Sequence, residues 1–190
     1  MNVKILRLPL KASDIKDLRS GDRVLISGKL LTARDSSHRR IVDCINSRGQ
    51  LPFNLIGNTI YYMGPTPAKP GQVIGSAGPT TSTRMDMYTP QMLEAGIKCM
   101  IGKGKRSAEV RSAILKHKAI YFAVVGGAGA LIANTIKSAK LVAYADLGAE
   151  AVFELVVENL PAIVINDIHG KDLYEDGKLK YCRKSDVNSC

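Results

Sequence analysis

The sequence predicts an α/β fold. Three observations carry that prediction: short apolar runs rich in β-branched residues recur along the chain, segments with apolar spacing of three and four lie between them, and glycine-bearing loops separate the two. The 190 residues are 45% hydrophobic, enough to bury roughly 70% of the surface an unfolded chain exposes, so disorder is excluded. No internal repeat or low-complexity linker divides the chain, and one domain over residues 1–190 is the economical reading.

The elements follow in order. Val3–Leu8 and Arg23–Leu31 read as the first two strands. Between Asp35 and Asn46, Ile41, Cys44 and Ile45 recur at three and four behind His38, Arg39 and Arg40, which predicts an amphipathic helix ended by Gly49 and puts Arg34 at a strand-to-helix junction. Asn54 to Gly78 is rich in Gly and Pro, with short strands expected at Thr59–Met63 and Gln72–Ser76. A helix is expected over Asp86–Ala95, stopped by Gly96, then a strand at Ile97–Ile101. Ser107–Lys118 reads as a helix with Val110, Ile114 and Leu115 on one face, followed by a buried strand at Ile120–Val125. Further strands are expected at Leu141–Ala143, Val152–Val157 and Ala162–Ile165. The last two lie too close together to enclose a crossover helix, which points to an antiparallel subsheet.

Charge narrows the function classes. The formal net charge is +10. It is polarised: Lys98–Lys118 holds seven basic residues and one acid, whereas Ala143–Asp176 holds eight acids and one base. One positive face gathering a negative ligand fits this pattern, as do two solvated faces. Nucleic acid is disfavoured because there is no Trp and the aromatics do not interleave with the basic residues. The longest apolar run, Ala119–Ala133, is interrupted by Gly126, Gly127 and Gly129 and falls short of the roughly 20 residues a spanning helix needs. The N-terminal stretch carries no small-residue cleavage site, so cytoplasm is the default compartment. Cys44, Cys99, Cys182 and Cys190 have neither metal-ligand nor redox spacing and read as reduced thiols.

Two glycine-rich segments fail as nucleotide sites. Five residues rather than four separate Gly96 from Gly102-Lys103, and Gly104 follows where a P-loop needs Ser or Thr. Gly127-Ala128-Gly129 has Ile132 where a dinucleotide fingerprint needs a small residue, and reads instead as a tight turn where backbone approaches backbone. Of the three histidines only His38, beside Arg34, has a setting that invites a role in a site.

The concentrated signal is Gly78-Pro79-Thr80-Thr81-Ser82-Thr83-Arg84-Met85-Asp86. Four consecutive hydroxyls before an expected helix offer side-chain OH and backbone N–H groups to an anion, and Arg84 adds a fork for a carboxylate. The alternative is an elaborate N-cap with Asp86 at the positive end of the helix dipole. Gly102-Lys103-Gly104-Lys105-Arg106-Ser107 is a second cationic loop, and Thr32-Ala33-Arg34-Asp35 with His38 a third. All three follow strands, where α/β sheets collect ligands, and together they outline a pocket for a small dianion.

The ordered motifs TARD with His38, GPTTSTRMD, KGKRS, GGAGAL (Gly126–Leu131), ADLGAEA (Ala145–Ala151) and LPAIVIND (Leu160–Asp167) span essentially the whole chain. They resemble the C-terminal domain of class I, iron–sulfur-dependent fumarases, in some organisms a separate chain: the β subunit of two-subunit fumarase or L-tartrate dehydratase. Thr83 departs from the family, which more often has glycine there. The resemblance implies a three-layer β/β/α swivelling domain with mixed sheets and reversible hydration of fumarate to L-malate. It also implies a 4Fe–4S cluster bound by cysteines of a separate α subunit, in an assembly of two α and two β subunits. Carried over position by position, Arg34, Arg84 and Lys103 resemble the clamps on the substrate carboxylates. Thr80 resembles the residue that moves the C3 proton, with Thr81 beside it binding substrate. A threonine hydroxyl is a poor base near neutral pH, so this role requires nearby cations and a dry site. The resemblance leaves L-tartrate open as substrate. Outside the family, a non-catalytic basic binding module and a self-contained small-anion enzyme remain the alternatives.

Overall fold

The computed structural model describes residues 3–182. Its strands are β1 (Lys4–Arg7), β2 (Arg23–Thr32), β3 (Thr59–Tyr61), β4 (Cys99–Gly102), β5 (Ile120–Ala123), β6 (Ile136–Ala143) and β7 (Val152–Asn166). Its helices are α1 (Ala12–Lys16), α2 (Asp35–Asn46), α3 (Thr89–Glu94), α4 (Ala108–His117), α5 (Gly129–Ala133) and α6 (Leu173–Tyr181), with 3₁₀ turns at Ser82–Met85 and Ala145–Glu150. The sheet is mixed, in the order β1-β2-β3-β4-β5-β7-β6, with β2 also paired to β7. β1 through β5 run parallel to their neighbours, and β7 runs antiparallel to β5, β2 and β6. Because β7 joins both β2 and β5, the strands between them close on themselves.

Side chains alternate between two cores. Along β3 and beyond it, Tyr61 packs into a cluster with Ile26, Leu30, Ile101, Phe122, Leu155 and Val164. Its neighbours Ile60 and Tyr62 join Ile41, Met85, Met100, Val110, Ile114 and Tyr121 under α2, α3 and α4. Strands buried on both faces read as continuous apolar runs, which is why β4 and β5 are legible without alternation near Ile97–Ile101 and Ile120–Val125, although β5 stops at Ala123 and Val125 is exposed. Each such Leu or Ile contributes on the order of 1.5–3 kcal/mol by leaving water. A strand layer on one side of the central parallel strands and helices on the other are consistent with the three-layer α/β fold.

The structure revises several expected elements. Val152–Val157 and Ala162–Ile165 are one 15-residue strand. The register steps from Ile26↔Leu160 to Gly28↔Val157, and the resulting bulge is accommodated by Asn159 at φ 53° with its N–H on Ser27 Oγ at 3.0 Å. Gly28 faces this bend from β2; at φ 126° it brings its backbone against Leu8, where a Cβ would stand 2.9 Å from the Leu8 Cβ. Gln72–Ser76 is not a strand. Its Ser76 end is held by Ser76 N–H on Thr66 Oγ1 (2.8 Å) and Thr66 N–H on Ser76 O (3.1 Å), and Gly75 packs too closely against Thr66 for any side chain. The expected helix over Asp86–Ala95 shortens to α3, with Pro90 in its first turn, and a 3₁₀ turn at Ser82–Met85 precedes it. Leu115 is exposed, and Val110, Ala113 and Ile114 form the buried face of α4.

Candidate functional site

The candidate residues gather at the carboxyl ends of the parallel strands, the edge at which open α/β sheets bind ligands. β2 ends at Thr32 and releases Arg34; β4 ends at Gly102 and releases Lys103; β5 ends at Ala123, and Gly126 follows. The segment Thr80–Ser82 lies between the ends of β3 and β4. Thr80 N–H donates to Tyr62 O at 2.7 Å, Ser82 N–H donates to Lys103 O at 2.9 Å, and Thr81 pairs with Lys103 in a parallel bridge. Thr80 and Thr81 are thereby fixed by main-chain bonds, with Thr81 exposed and Thr80 half-buried.

Arg34 starts α2. Its N–H donates to Ser37 Oγ at 2.8 Å, and its carbonyl accepts from the His38 N–H and the His38 ring Nδ1, both at 2.8 Å. Its guanidinium approaches Glu150 (Nη2 to Oε1, 3.6 Å), while Glu150 Oε2 accepts the Ser36 N–H at 2.8 Å. Partial burial raises the Glu150 pKa, but the Ser36 hydrogen bonds and the Arg34 charge outweigh it and leave the carboxyl below its usual value. Gly64, after β3, makes room for this arrangement: a Cβ there would stand 2.8 Å from Arg34 Cδ and 2.5 Å from Ala149 O.

Arg84, at the end of the 3₁₀ turn, reaches back to Asp35 beside Arg34, so both arginines of the site converge on the first turn of α2. Lys103 is held differently. Ser82 Oγ accepts its N–H at 3.1 Å, and its side chain lies across Gly126, whose Cβ would stand 3.7 Å from Nζ. Two arginines and a lysine, set on loops from different strands beside a pair of threonines, can hold a small dianion by charge-assisted hydrogen bonds.

Four other features of the sequence have structural roles. Arg106 of the second cationic loop is buried and unavailable to a ligand: Nε donates to Asp86 Oδ1 (2.7 Å), Nη2 donates to Thr89 Oγ1 (2.6 Å), and the guanidinium lies over Tyr62 and Tyr121. Asp86 accepts the Ser107 N–H at 2.7 Å, so it serves the start of α4 rather than a helix of its own. His38 is buried between Tyr62 and Tyr88. Burial outweighs its hydrogen bond to Arg34 and pulls its pKa down to about 4, so the ring is neutral and orients Arg34. The Gly126–Gly129 segment is a close backbone approach: Gly129 O accepts the Ala77 N–H at 3.1 Å, and a Cβ on Gly129 would come within 2.9 Å of Gly78 N.

Asp35, Gly64, Ser82 and Glu150 contact these candidate residues and Tyr121 supports Ser82, and residue type alone does not single them out. Asp35, Ser82 and Glu150 lie inside the motifs TARD, GPTTSTRMD and ADLGAEA, which is the signal available for them. No three His, Cys, Asp or Glu side chains among the described residues are grouped to hold a metal ion. Cys99 is in the core with its thiol pushed up to about 12 by burial, so it does not suit ligation; Cys190 lies outside the described residues. No helix of the described residues is long and apolar enough to cross a membrane.

Residues 1–177 match the model of the Fumarase C-terminus family. The chain belongs to that family. Its curated relatives include a protein named as a putative L(+)-tartrate dehydratase subunit beta from Methanocaldococcus jannaschii, 38% identical over 181 residues, covering 92% of this chain and 93% of that one. The L(+)-tartrate dehydratase subunit beta of Escherichia coli K12 is 32% identical over 188 residues, covering 96% and 92%. The aerobic class I fumarate hydratase of Escherichia coli K12 is 35% identical over 164 residues, 85% of this chain but 30% of that enzyme. This Fumarase C-terminus chain therefore matches nearly the whole of two beta subunits and under a third of a fumarate hydratase.

Proposed function

We propose that this chain is a single Fumarase C-terminal domain acting as the β subunit of a hydro-lyase that interconverts fumarate and L-malate. The observation that carries the reading is the convergence of Arg34, Arg84 and Lys103 at the carboxyl ends of adjacent strands in a chain of this family. The described residues form no cluster site, so a 4Fe–4S cluster in this reading belongs to an α partner, where it would supply Lewis acidity. The relatives named as beta subunits support such a partner, and an assembly of two α and two β subunits in the cytoplasm completes the proposal.

In this reading Arg34, Arg84 and Lys103 hold the two carboxylates. Dehydration of malate removes a proton from C3 and builds negative charge towards the adjacent carboxylate, which a preorganised cation on that carboxylate stabilises most strongly in the transition state. The C2 hydroxyl leaves as hydroxide, and its uptake of the proton lost from C3 completes the release of water. Thr80 Oγ1 receives the C3 proton, and Thr81 contacts substrate. The Thr80 main-chain bond to Tyr62 O fixes the backbone from which that oxygen is presented. For Thr80 to serve as the base, the cations must lower the cost of its alkoxide and the α partner must close the site to water.

L-tartrate is the second reading, favoured by the full-length match to two tartrate dehydratase beta subunits. It presents the same two carboxylates to the same clamp. Anaerobic co-purification with the bound partner, followed by side-by-side assay of fumarate, malate and tartrate, tests both. Turnover by this chain alone, or tight nucleic-acid binding with a steep salt dependence and no hydratase activity, overturns the proposal.

A further inference from the structure

Lys103 is held by a hydrogen-bond circuit whose direction can be deduced atom by atom. Tyr121 Oη is 2.8 Å from Gly104 O, and a carbonyl only accepts, so the single phenolic proton points there. Ser82 Oγ is 2.8 Å from the same Tyr121 Oη, whose proton is committed, so the serine donates to it. The remaining acceptor capacity of Ser82 Oγ takes the Lys103 N–H at 3.1 Å, and the Ser82 N–H returns to Lys103 O at 2.9 Å. The circuit therefore runs from Lys103 N–H through Ser82 and Tyr121 to Gly104 O, fixing both peptide units around Lys103.

Two features make this a built arrangement. Gly102 has no room for a side chain, because a Cβ would overlap Ser82 Oγ and stand 2.9 Å from the Tyr62 ring. The Tyr121 ring is fixed from its other side by the Arg106 guanidinium, 5.0 Å from its centroid, which Asp86 and Thr89 hold in turn. Ser82 and Tyr121 are both buried, yet their hydroxyls reach a loop whose lysine side chain lies towards the strand ends over Gly126.

We propose that Ser82 and Tyr121 are positioning residues that set the Lys103 ammonium and Thr81 for a substrate carboxylate. This rests on the placement of Lys103 and Thr81 in the substrate pocket. On the carboxylate remote from C3, whose charge does not change during dehydration, Lys103 binds ground and transition state alike, so loosening it raises KM more than it lowers kcat.

The test uses Tyr121→Phe and Ser82→Ala in the full chain, with two readouts. Amide hydrogen exchange of the chain alone is expected to speed up about tenfold across residues 102–105 in both variants, the effect of losing one net hydrogen bond, with residues 23–32 unchanged. In the complex with its α partner, KM is expected to rise about tenfold with kcat within about threefold of the parent. Unchanged exchange at 102–105, or a lowered unfolding midpoint with KM unmoved, overturns the proposal. If Ser82→Ala does not fold, Tyr121→Phe, which keeps its ring on Arg106, carries the test. A parent complex inactive on fumarate and tartrate defeats the functional reading separately, and the exchange experiment then decides whether the circuit holds Lys103.

Discussion

Arg84 and Asp35 form an ion pair in which Nε donates to Oδ1 at 2.9 Å and Nη2 lies 2.8 Å from Oδ2. The pair ties the 3₁₀ turn after the threonines to the first turn of α2, next to Arg34. Half of the Arg84 side chain stays exposed, so one edge of the guanidinium is oriented by the protein while the rest is open to solvent. The planar guanidinium presents Nε and Nη2 to the two carboxylate oxygens at once, an arrangement that a lysine ammonium could not reproduce. Arg84→Ala is therefore expected to lower kcat/KM about a hundredfold or more, with about 3 kcal/mol at stake. Arg84→Lys should recover little of it in steady-state assays of the α–β complex. Parental kcat/KM in Arg84→Ala would remove Arg84 from the site.

Gly64 is where a small change should disable Arg34 without touching it. A methyl group there meets Arg34 Cδ and the Ala149 carbonyl at sub-van-der-Waals distances. Overpacking of this kind costs about 1–3 kcal/mol. Gly64→Ala is expected to lower the urea midpoint accordingly and to raise KM as Arg34 moves; equal midpoints for variant and parent would show that the cleft relaxes freely.

Asp86 neutralises a guanidinium that has no access to water. The Arg106 side chain is 0% exposed and that of Asp86 13%. Removing the carboxylate leaves a buried charge without its partner, and breaking such pairs costs about 3–5 kcal/mol. Equilibrium denaturation of Asp86→Ala should show a loss of that order. A loss below about 1 kcal/mol, the range of exposed pairs, would mean that water reaches Arg106.

His38 should make stability pH-dependent. Its folded-state pKa of about 4 lies below the ordinary 6.5, so between these values the unfolded chain binds more protons than the folded one. Stability present above pH 6.5 is therefore lost as pH falls towards 4, by roughly 3 kcal/mol for the full shift. His38→Gln should flatten this part of the denaturation free energy against pH. Identical slopes for parent and variant between pH 6.5 and 4 would mean that His38 is not the group that titrates; the lowered carboxyls of Asp22 and Glu150 act in the same direction but from their ordinary values of 3.8 and 4.5 downward.

The longer helices were legible because their termini carry local signals. Helix α2 was expected at its observed limits, and α4 runs from its Ser107 N-cap, whose side chain accepts the Val110 N–H, to Lys118 in the left-handed conformation. The five-residue helices α1 and α5 hold less than two turns, too few for periodicity, and α6 buries none of its residues, so its sequence has no apolar stripe to read. The bend that makes one strand of β7 depends on Asn159 lying against β2, a contact more than a hundred residues away in sequence.

The sequence by itself determined the α/β class, the family, and the candidate cations Arg34, Arg84 and Lys103, because strand-end loops keep their motifs in local order. Only the tertiary structure decided which neighbouring charges are available. Arg106 and Lys103 stand three residues apart on one loop, yet Arg106 turns into the aromatic layer of Tyr62 and Tyr121 while the Lys103 side chain lies over Gly126. Asp35 and Glu150 likewise become partners of the site's arginines only when α2 meets the turns at Ser82–Met85 and Ala145–Glu150. Desolvation and pairing depend on every element packed against a side chain, and for these residues most of those elements are distant in sequence.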